Sequence, residues 1–544
     1  MARATPLRGA RMAPPPRTTL ERHSLRQNAI AMFAGQTITW TLTALTLALL
    51  PRYLGPSHMG ALGISLSFSN LASTVAGLGI ATLVTKDIAR DHEAASRMLG
   101  TAIWLNVMLG LAAAAISIAA GQALGYAPMT QWAILVNCGI VPLNLLTLLG
   151  FAALQGAEVM RHQAIWDATN KLLFLAGTAA IIVLDLGFGA YLLLSIASAV
   201  LVTVPAIRLM HRVLPFKPWT FSIAQARYLV VASLPFSTTS VFVVVYLAVD
   251  TLLLSLLSGE TAVGIYTAPS RIFGTLLFAP TIVTTVVFPR MAATYRDGAA
   301  DTARLARATL ALVIGITLPV AVMTVGVGDE GLVWLIGRGF ADSGPVVVLL
   351  ALSLVPTSVN MVAHRILIAV DRQRVWTVVV LVALVAKVAV GLVLIPLFDH
   401  AFASAALGAA ASLLAVEGGM MLVAFYYMPR GIMDRAAFAL YARLSAGALF
   451  ATAAMLLTRP LGFFLTGIAG TLGYGAIVFL LHAYTPSQVI AGARWLAGRG
   501  APPPAGMPAA ELGLPRPERY EPLLYSPARL KGIRSARRPA SRAG

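Results

Sequence analysis

Apolar residues run through the sequence in long stretches, and short polar loops separate them. Each stretch approaches or exceeds the roughly 20 apolar residues that an α-helix needs to cross about 30 Å of hydrocarbon. The sequence therefore predicts a chain that crosses a membrane fourteen times. The predicted spans are residues 28–50, 61–84, 98–120, 130–154, 164–186, 188–207, 228–256, 263–289, 306–327, 344–370, 375–396, 402–426, 441–458 and 461–484.

The basic residues of the loops fall almost entirely on every second connection. With the N-terminal tail on the inner side, nineteen Lys and Arg lie at inner loops and span ends. The outer loops hold only Arg52, Arg338 and Arg459. Because cytoplasmic loops carry an excess of Lys and Arg, this bias predicts that both termini are cytoplasmic. Adding or removing one span would destroy the alternation, so it also supports the number fourteen.

Composition agrees with a membrane protein, since 58% of the residues are hydrophobic and 11% are charged. The net charge of +19 is concentrated at the two ends of the chain and in the inner loops. Such charges are attracted to anionic lipid headgroups. Nucleic acid is not an expected partner, because no aromatic residues accompany the basic ones as a stacking platform. The single cysteine, Cys138, lies in an apolar span and is expected to be a small buried residue.

Two glycine pairs mark an internal repeat. Gly55 and Gly60 in YLGPSHMG have the same spacing as Gly259 and Gly264 in LSGETAVG, at an offset of 204 residues. Each pair lies between a span that runs outward and a span that runs back, and a basic residue follows the second glycine by 26 residues in both cases. These matches predict two parallel repeats, related by an axis near the membrane normal.

The repeat predicts the domain organisation. Residues 28–207 form an N-lobe of six helices and residues 228–426 form a C-lobe of six helices, with pseudo-two-fold symmetry between them. Residues 441–484 supply two peripheral helices. The Pro- and Arg-rich ends, 1–27 and 487–544, are predicted to be disordered basic tails on the cytoplasmic side. The predicted fold class is thus an all-α membrane protein with about fourteen transmembrane helices.

Four ionisable residues stand out within the predicted spans: Asp250, Arg271, Lys387 and Glu417. Because a charge at the centre of a span costs about 2.5–3.5 kcal/mol, each is expected to face the protein interior or water. The helical rise places the first two roughly 9–12 Å below the outer surface and the last two roughly 14–18 Å from the inner one. Either pair can therefore form a buried ion pair or line a path. Lys171, nearer the inner surface, is a fifth such residue that can also reach the headgroups.

Arg271 is the strongest candidate for binding an anionic substrate. It follows Pro269 by two residues in YTAPSRIFG, where a lost backbone hydrogen bond predicts a helix break beside a cavity. A planar guanidinium can bind two phosphate oxygens at once. Arg52, at the outer end of span 1, and Asp250 are further candidates for substrate binding, although Arg52 also fits an interfacial arginine. Asp250, Lys387 and Glu417 are candidates for ion coupling.

The sequence predicts neither a catalytic site nor a cofactor. Glu158 and His162 have helical spacing but lack the further ligands that a metal site requires. Neither a nucleophile elbow nor a phosphate-binding glycine loop is present. The glycine-rich segment 326–331 is expected to be a turn at a helix end. The chain is therefore predicted not to be an enzyme.

Four segments resemble a known family. They are PRYLGPSHMGALG after span 1, VDTLLLSLLSGETAVGIYTAPSRIFGTLLFAPTIVTTVVFPRM through spans 7 and 8, and LIGRGFADSGPVVVLLALSLVP and IAVDRQRVW around span 10. The chain is similar there to the Wzx-like polysaccharide flippases of the MATE-related (MOP) superfamily, over residues 25–484. The resemblance implies two six-helix lobes around a cationic cavity, in which Arg271 takes the place of a span 8 arginine of lipid II flippases. Their span 1 cations are reduced here to Arg52, which favours a general polysaccharide unit.

The predicted function is that of a flippase in a bacterial inner membrane. It would move an undecaprenyl-diphosphate-linked oligosaccharide from the cytoplasmic to the outer leaflet by alternating access. A polysaccharide polymerase and chain-length proteins are the expected protein partners. Three alternatives stay open, one of which is a non-transporting scaffold for a polysaccharide synthesis complex. A multidrug or cation antiporter of the same fold usually needs a carboxylate in span 1, and residues 28–50 contain none. A membrane glycosyltransferase or polymerase would need a larger outer loop with catalytic acids.

Overall fold

Helices joined by short turns make up the part of the chain that the computed structural model describes, which is residues 25–297, 299–429 and 431–481. The α-helices are α1 (Leu25–Gly77), α2 (Ile80–Arg90), α3 (His92–Ala123), α4 (Pro128–Gly139), α5 (Val141–Gly156), α6 (Met160–Val183), α7 (Gly187–Val213), α8 (Ile223–Leu257), α9 (Gly259–Leu276), α10 (Phe278–Asp297), α11 (Ala299–Ile336), α12 (Gly344–Ala369), α13 (Gln373–Phe402), α14 (Ala405–Tyr427), α15 (Arg435–Thr458) and α16 (Phe463–Leu480). These ranges contain no β-strand, which confirms the all-α fold class.

All fourteen predicted spans have helical counterparts. α1 contains two crossings that meet at Gly55, whose φ of 71° and ψ of 175° lie outside the helical region. α2 continues the second crossing after a break at Gly79, while α4 with α5, and α9 with α10, each follow one predicted span. Among the described residues, twelve helices are long and apolar enough to cross a membrane, by length and composition. α6 is not one of the twelve, because polar residues occupy its first half.

The helices before residue 214 pack mainly among themselves, and so do the helices from α10 to α14, while α9 packs mainly against α1. α8 contacts both groups. Near its start, Tyr228 donates a hydrogen bond to Asp87 Oδ2 at 3.0 Å, and Gln225 accepts one from Thr101 at 2.7 Å. Its later turns pack against α13 and α9. The predicted C-lobe therefore includes a helix whose inner part is attached to the N-lobe.

α15 and α16 pack against α11, at the side of the second group. The glycine-rich segment 326–331 lies inside α11, so the predicted turn is wrong. A Cβ on Gly326 would lie 2.7 Å from Met455 of α15, and one on Gly331 would lie 2.8 Å from Phe463 of α16. The glycines thus allow a close helix–helix approach, and a helix can contain them where packing offsets their low propensity.

The predicted basic tails fall almost wholly outside the described residues. α1 already begins at Leu25, within the last three residues of the tail predicted for 1–27. The tail predicted for 487–544, and the end of the last predicted span, lie beyond residue 481.

Candidate functional site

Asp250 and Lys387 form an ion pair in the interior of the C-lobe. Lys387 Nζ lies 2.9 Å from Asp250 Oδ2, and the two side chains are 1% and 6% exposed, respectively. Tyr266 donates a hydrogen bond to the same carboxylate oxygen at 2.7 Å. Lys387 also donates to the backbone carbonyl of Tyr246 at 3.0 Å, and its ammonium lies 4.0 Å from the centre of the Tyr246 ring. A buried charge that is paired, hydrogen-bonded and placed over an aromatic face has its lost hydration largely replaced.

Glu417 is joined to this pair through Tyr246. The Tyr246 hydroxyl donates to Glu417 Oε1 at 2.8 Å. On its other side, Glu417 Oε2 accepts a hydrogen bond from Asn360 Nδ2 at 2.7 Å, and the same amide donates to the Glu417 backbone carbonyl at 3.0 Å. Glu417 itself is 5% exposed. Both carboxylate oxygens are therefore held by neutral donors.

We call the group formed by Asp250, Lys387, Glu417 and Tyr246, together with Tyr266 and Asn360, the C-lobe network. It joins five helices, α8, α9, α12, α13 and α14. Tyr246 and Asp250 are four residues apart on α8 and therefore share one face of that helix. The network crosslinks most of the C-lobe at membrane depth, where polar groups without partners are costly.

The pairing differs from the two pairs that helix depth suggested. Asp250 contacts Lys387 and not Arg271, and Glu417 contacts Tyr246 and Asn360 and not Lys387. Depth estimates placed Asp250 near the outer surface and Lys387 slightly deeper, so their contact fits the vertical position of both. Depth cannot give the direction in which a helix face points, and it is the packing of α13 against α8 that selects the partner.

Arg271 lies on α9 and is half-buried. Among the described residues it forms neither a hydrogen bond nor an ion pair, and its neighbours Ala268 and Ile272 belong to the same apolar cluster as the buried Tyr191 of α7. α7 belongs to the N-lobe and α9 to the C-lobe, so Arg271 lies where the two halves face each other. The helix break expected at Pro269 is displaced, because α9 continues to Leu276. Arg271 is thus a cation without a counter-charge at the boundary between the lobes.

Arg52 is exposed and bound to the end of another helix. Its Nε donates to the carbonyl of Leu335 at 2.9 Å, and its terminal guanidinium nitrogen donates to the carbonyl of Trp334. Both carbonyls belong to the last turn of α11, where the backbone acceptors have no partner within the helix. Arg52 therefore caps α11, and this contact joins the outer end of span 1 to the C-lobe.

The glycines of the repeat bring the two halves into backbone contact. A Cβ on Gly60 would overlap the carbonyl of Glu260, and a Cβ on Gly264 would overlap the carbonyl of Pro56. Glu260 follows Pro56 by 204 residues, so the two overlaps are equivalent under the repeat. Gly259 has a φ of 82°, as the corresponding Gly55 has a positive φ. We call this contact the glycine crossing; it brings α1 and α9 together on the predicted outer side.

Sequence reasoning did not find Tyr246, Tyr266 and Asn360. A lone Asn in an apolar span, and a Tyr one helical turn from a buried Asp, are signals for such a network. The described residues contain no group of three or more His, Cys, Asp and Glu side chains placed to bind a metal ion.

Comparisons with known proteins agree with this architecture. The lipid II flippase MurJ in an inward closed conformation has a TM-score of 0.67 at 14% identity, covering 84% of this chain and 98% of that one. An inward-facing multidrug resistance MATE family transporter of the MOP superfamily has a TM-score of 0.60 at 16% identity, covering 73% and 97%. An outward-facing MATE transporter has a TM-score of 0.52 at 15% identity, covering 75% and 96%. No curated protein matches the sequence.

The fold is therefore that of the MOP superfamily of membrane transporters, and the chain is a multi-pass membrane protein. Residues 25–295 match the family described as polysaccharide biosynthesis protein. This match covers just under half of the chain, and the expected resemblance to Wzx-like flippases is confirmed. The family and the structural neighbours are transporters and flippases and not enzymes. Together they support a flippase or transporter of a lipid-linked substrate.

Proposed function

We propose that the chain is a flippase that moves an undecaprenyl-diphosphate-linked oligosaccharide from the cytoplasmic to the outer leaflet of a bacterial inner membrane. The observation that carries this proposal is the position of Arg271, a half-buried cation without a counter-charge where the lobes face each other. A guanidinium in such a place binds a diphosphate through charge-assisted hydrogen bonds. Cytoplasmic termini, and polymerase and chain-length proteins as partners, belong to the same proposal.

The transport cycle follows from the two halves. The diphosphate enters between the lobes from the cytoplasmic side and binds to Arg271, while the polyprenyl chain stays in lipid. The glycine crossing keeps the outer side closed during this step. The lobes then rock about the repeat axis, the crossing opens, and the glycan leaves on the outside. An inside-negative potential favours outward movement of an anion by about 2.3 kcal/mol per charge per 100 mV.

Contacts within the protein leave Asp250 and Arg52 with roles other than first contact with the diphosphate. Asp250 is neutralised by Lys387, and Arg52 is bound to carbonyls of α11. Neither side chain is free to hold a phosphate in this conformation. Arg271 is therefore the residue on which substrate binding depends.

The test is the export of glycan in cells that carry Arg271→Ala in place of the native chain. We expect export to fall at least tenfold and the lipid-linked glycan to accumulate on the cytoplasmic side, since a charged hydrogen bond is worth about 1.5–3 kcal/mol. Arg338→Ala, which removes an exposed arginine from the turn after α11, is the matched control and should export normally. Normal export by Arg271→Ala at equal protein level in the membrane would refute the proposal.

A further inference from the structure

α6 carries polar residues that neither the C-lobe network nor Arg271 explains. They are Gln163, Asp167, Asn170 and Lys171, and Phe174 follows them on the same side. Their spacing places them within about 100° of arc on one helix face. We call these five residues the α6 stripe. At a rise of 1.5 Å per residue the stripe extends for about 16 Å along the helix.

The α6 stripe faces the protein interior. Leu172 and Leu173, on the opposite side of α6, are 54% and 48% exposed, as expected for side chains that face lipid. The five residues of the stripe are all half-buried. Ser198 of α7 donates a hydrogen bond to Asn170 Oδ1 at 2.9 Å, which fixes the direction of this face.

The outer end of the α6 stripe lies close to Arg271. The Phe174 ring packs edge-on against the Tyr191 ring, with 5.6 Å between the ring centres. Tyr191 of α7 belongs to the same apolar cluster as Ala268 and Ile272, which flank Arg271 on α9 across the lobe boundary. The stripe thus leads from the inner part of the N-lobe to the cation proposed to bind the diphosphate.

The two charges of the α6 stripe are incompletely satisfied. Asp167 and Lys171 are four residues apart and interact electrostatically. Neither side chain forms a hydrogen bond or an ion pair with any other residue that the structure describes. Because charges inside a span are costly, a half-buried pair of this kind requires water or a polar ligand.

We propose that the α6 stripe binds the glycan of the transported lipid while Arg271 binds its diphosphate; this inference rests on the proposed function. Sugar hydroxyls both donate and accept hydrogen bonds. A carboxylate accepts them, an ammonium donates them, and the amides of Asn and Gln do both, so the stripe matches such a ligand. A second phosphate site is a poorer match, because Asp167 would repel an anion bound to Lys171.

Binding of two lipids to the purified full-length protein in nanodiscs tests the inference. The probes are undecaprenyl diphosphate without sugar and the same lipid carrying one N-acetylglucosamine, with affinities measured by native mass spectrometry. We expect Lys171→Gln and Asp167→Asn each to bind the sugar-bearing lipid about tenfold more weakly, as loss of one charged hydrogen bond predicts. Both variants should bind the bare diphosphate lipid as the wild type does.

The same pair of lipids separates the possible outcomes. Equal loss for both lipids would show that the stripe binds phosphate, and no loss for either would show that it binds neither part; each result would overturn the inference. A wild-type protein that binds neither lipid would overturn the proposed function as well. Lys217→Gln, which changes an exposed lysine in an inner loop, is the control for Lys171→Gln and should match the wild type.

A second measurement does not depend on the substituted charges. In a Cys138→Ala background, Lys171→Cys should react with a charged thiol reagent, and Leu172→Cys, the neighbouring residue on the lipid-facing side, should not. The sugar-bearing lipid should protect Lys171→Cys more strongly than the bare diphosphate lipid does. An unreactive Lys171→Cys, or equal protection by the two lipids, would contradict the assignment.

Discussion

The two lobes place a lysine on corresponding helices and surround it differently. Lys171 lies on α6 and Lys387 on α13, which are the fifth spans of the N-lobe and C-lobe. Lys387 is 1% exposed and is bound by Asp250 and Tyr246. Lys171 is half-buried, and Asp167, one turn before it on α6, interacts with it electrostatically. One lobe uses its intramembrane charges to hold helices together, and the other leaves them available to a ligand.

The charges of the two halves are therefore expected to serve different purposes: those of the C-lobe stabilise the fold, and those of the N-lobe bind a ligand. In the C-lobe, five helices depend on one polar network, so that half is expected to move as a rigid unit. In the N-lobe the charges lie on a half-buried face of one helix, α6. Substitutions at equivalent helices should therefore have unequal effects on folding and on transport.

The largest expected effect comes from breaking the buried pair. Asp250→Asn or Lys387→Met leaves one charge without its partner and should destabilise the protein by about 3–5 kcal/mol. Thermal unfolding of the purified protein in detergent measures the loss. In contrast, Lys171→Gln should leave the unfolding temperature nearly unchanged.

A double variant tests whether the two charges act as a pair. Asp250→Leu combined with Lys387→Met removes both charges, so it should be more stable than either single variant. A double variant as unstable as the sum of the two single variants would show that Asp250 and Lys387 are not coupled.

A smaller loss of stability is expected from substitutions at the glycine crossing, where the two halves make equivalent contacts. Gly60→Ala or Gly264→Ala places a methyl group against a backbone carbonyl of the other half, which costs about 1–3 kcal/mol in the closed state. The outer side should open more often, and a thiol reagent added outside should reach Thr267→Cys, three residues after Gly264 on α9, about tenfold faster. Gly475→Ala, where nothing lies within 4 Å of the new methyl group, is the matched control. Equal effects of the first two variants are expected from the repeat, and an effect at only one of them would contradict it.

The smallest expected effect is at Arg52. Arg52→Gln removes the hydrogen bonds to the last carbonyls of α11 and should lower stability by about 1 kcal/mol. Binding of undecaprenyl diphosphate should not change, because the cation is engaged by the protein itself. A tenfold loss of binding with unchanged stability would show that Arg52 binds the substrate.

The course of the chain through the membrane was predictable because it depends on local composition. An apolar stretch of sufficient length forms a helix, and alternation of basic loops counts the crossings. The repeat was predictable from the glycine spacing. Gly55 and Gly259 both have a positive φ, a conformation that glycine adopts readily because it has no Cβ, so each glycine marks a turn. The turn predicted for segment 326–331 was wrong because its conformation depends on tertiary packing. The close approach of α15 and α16 keeps its glycines helical.

The partners of the intramembrane charges were not predictable from the sequence. Depth along a helix follows from the residue number, whereas the direction of a side chain depends on how neighbouring helices rotate against each other. For that reason the sequence predicts similar depths for Asp250 and Lys387 but does not predict that they form a pair. The roles of Tyr246 and Asn360 also depend on the tertiary structure. The two residues are far apart in sequence, and both donate a hydrogen bond to Glu417.

The glycine crossing has a consequence for the origin of the molecule. Each half offers the same patch, a glycine and the carbonyl four residues before it, to the same patch of the other half. Such a self-complementary surface has the form of an isologous interface in a C2 homodimer. A half-length ancestor with one such glycine would satisfy the contact by pairing with its own copy, and fusion of two genes would preserve it unchanged.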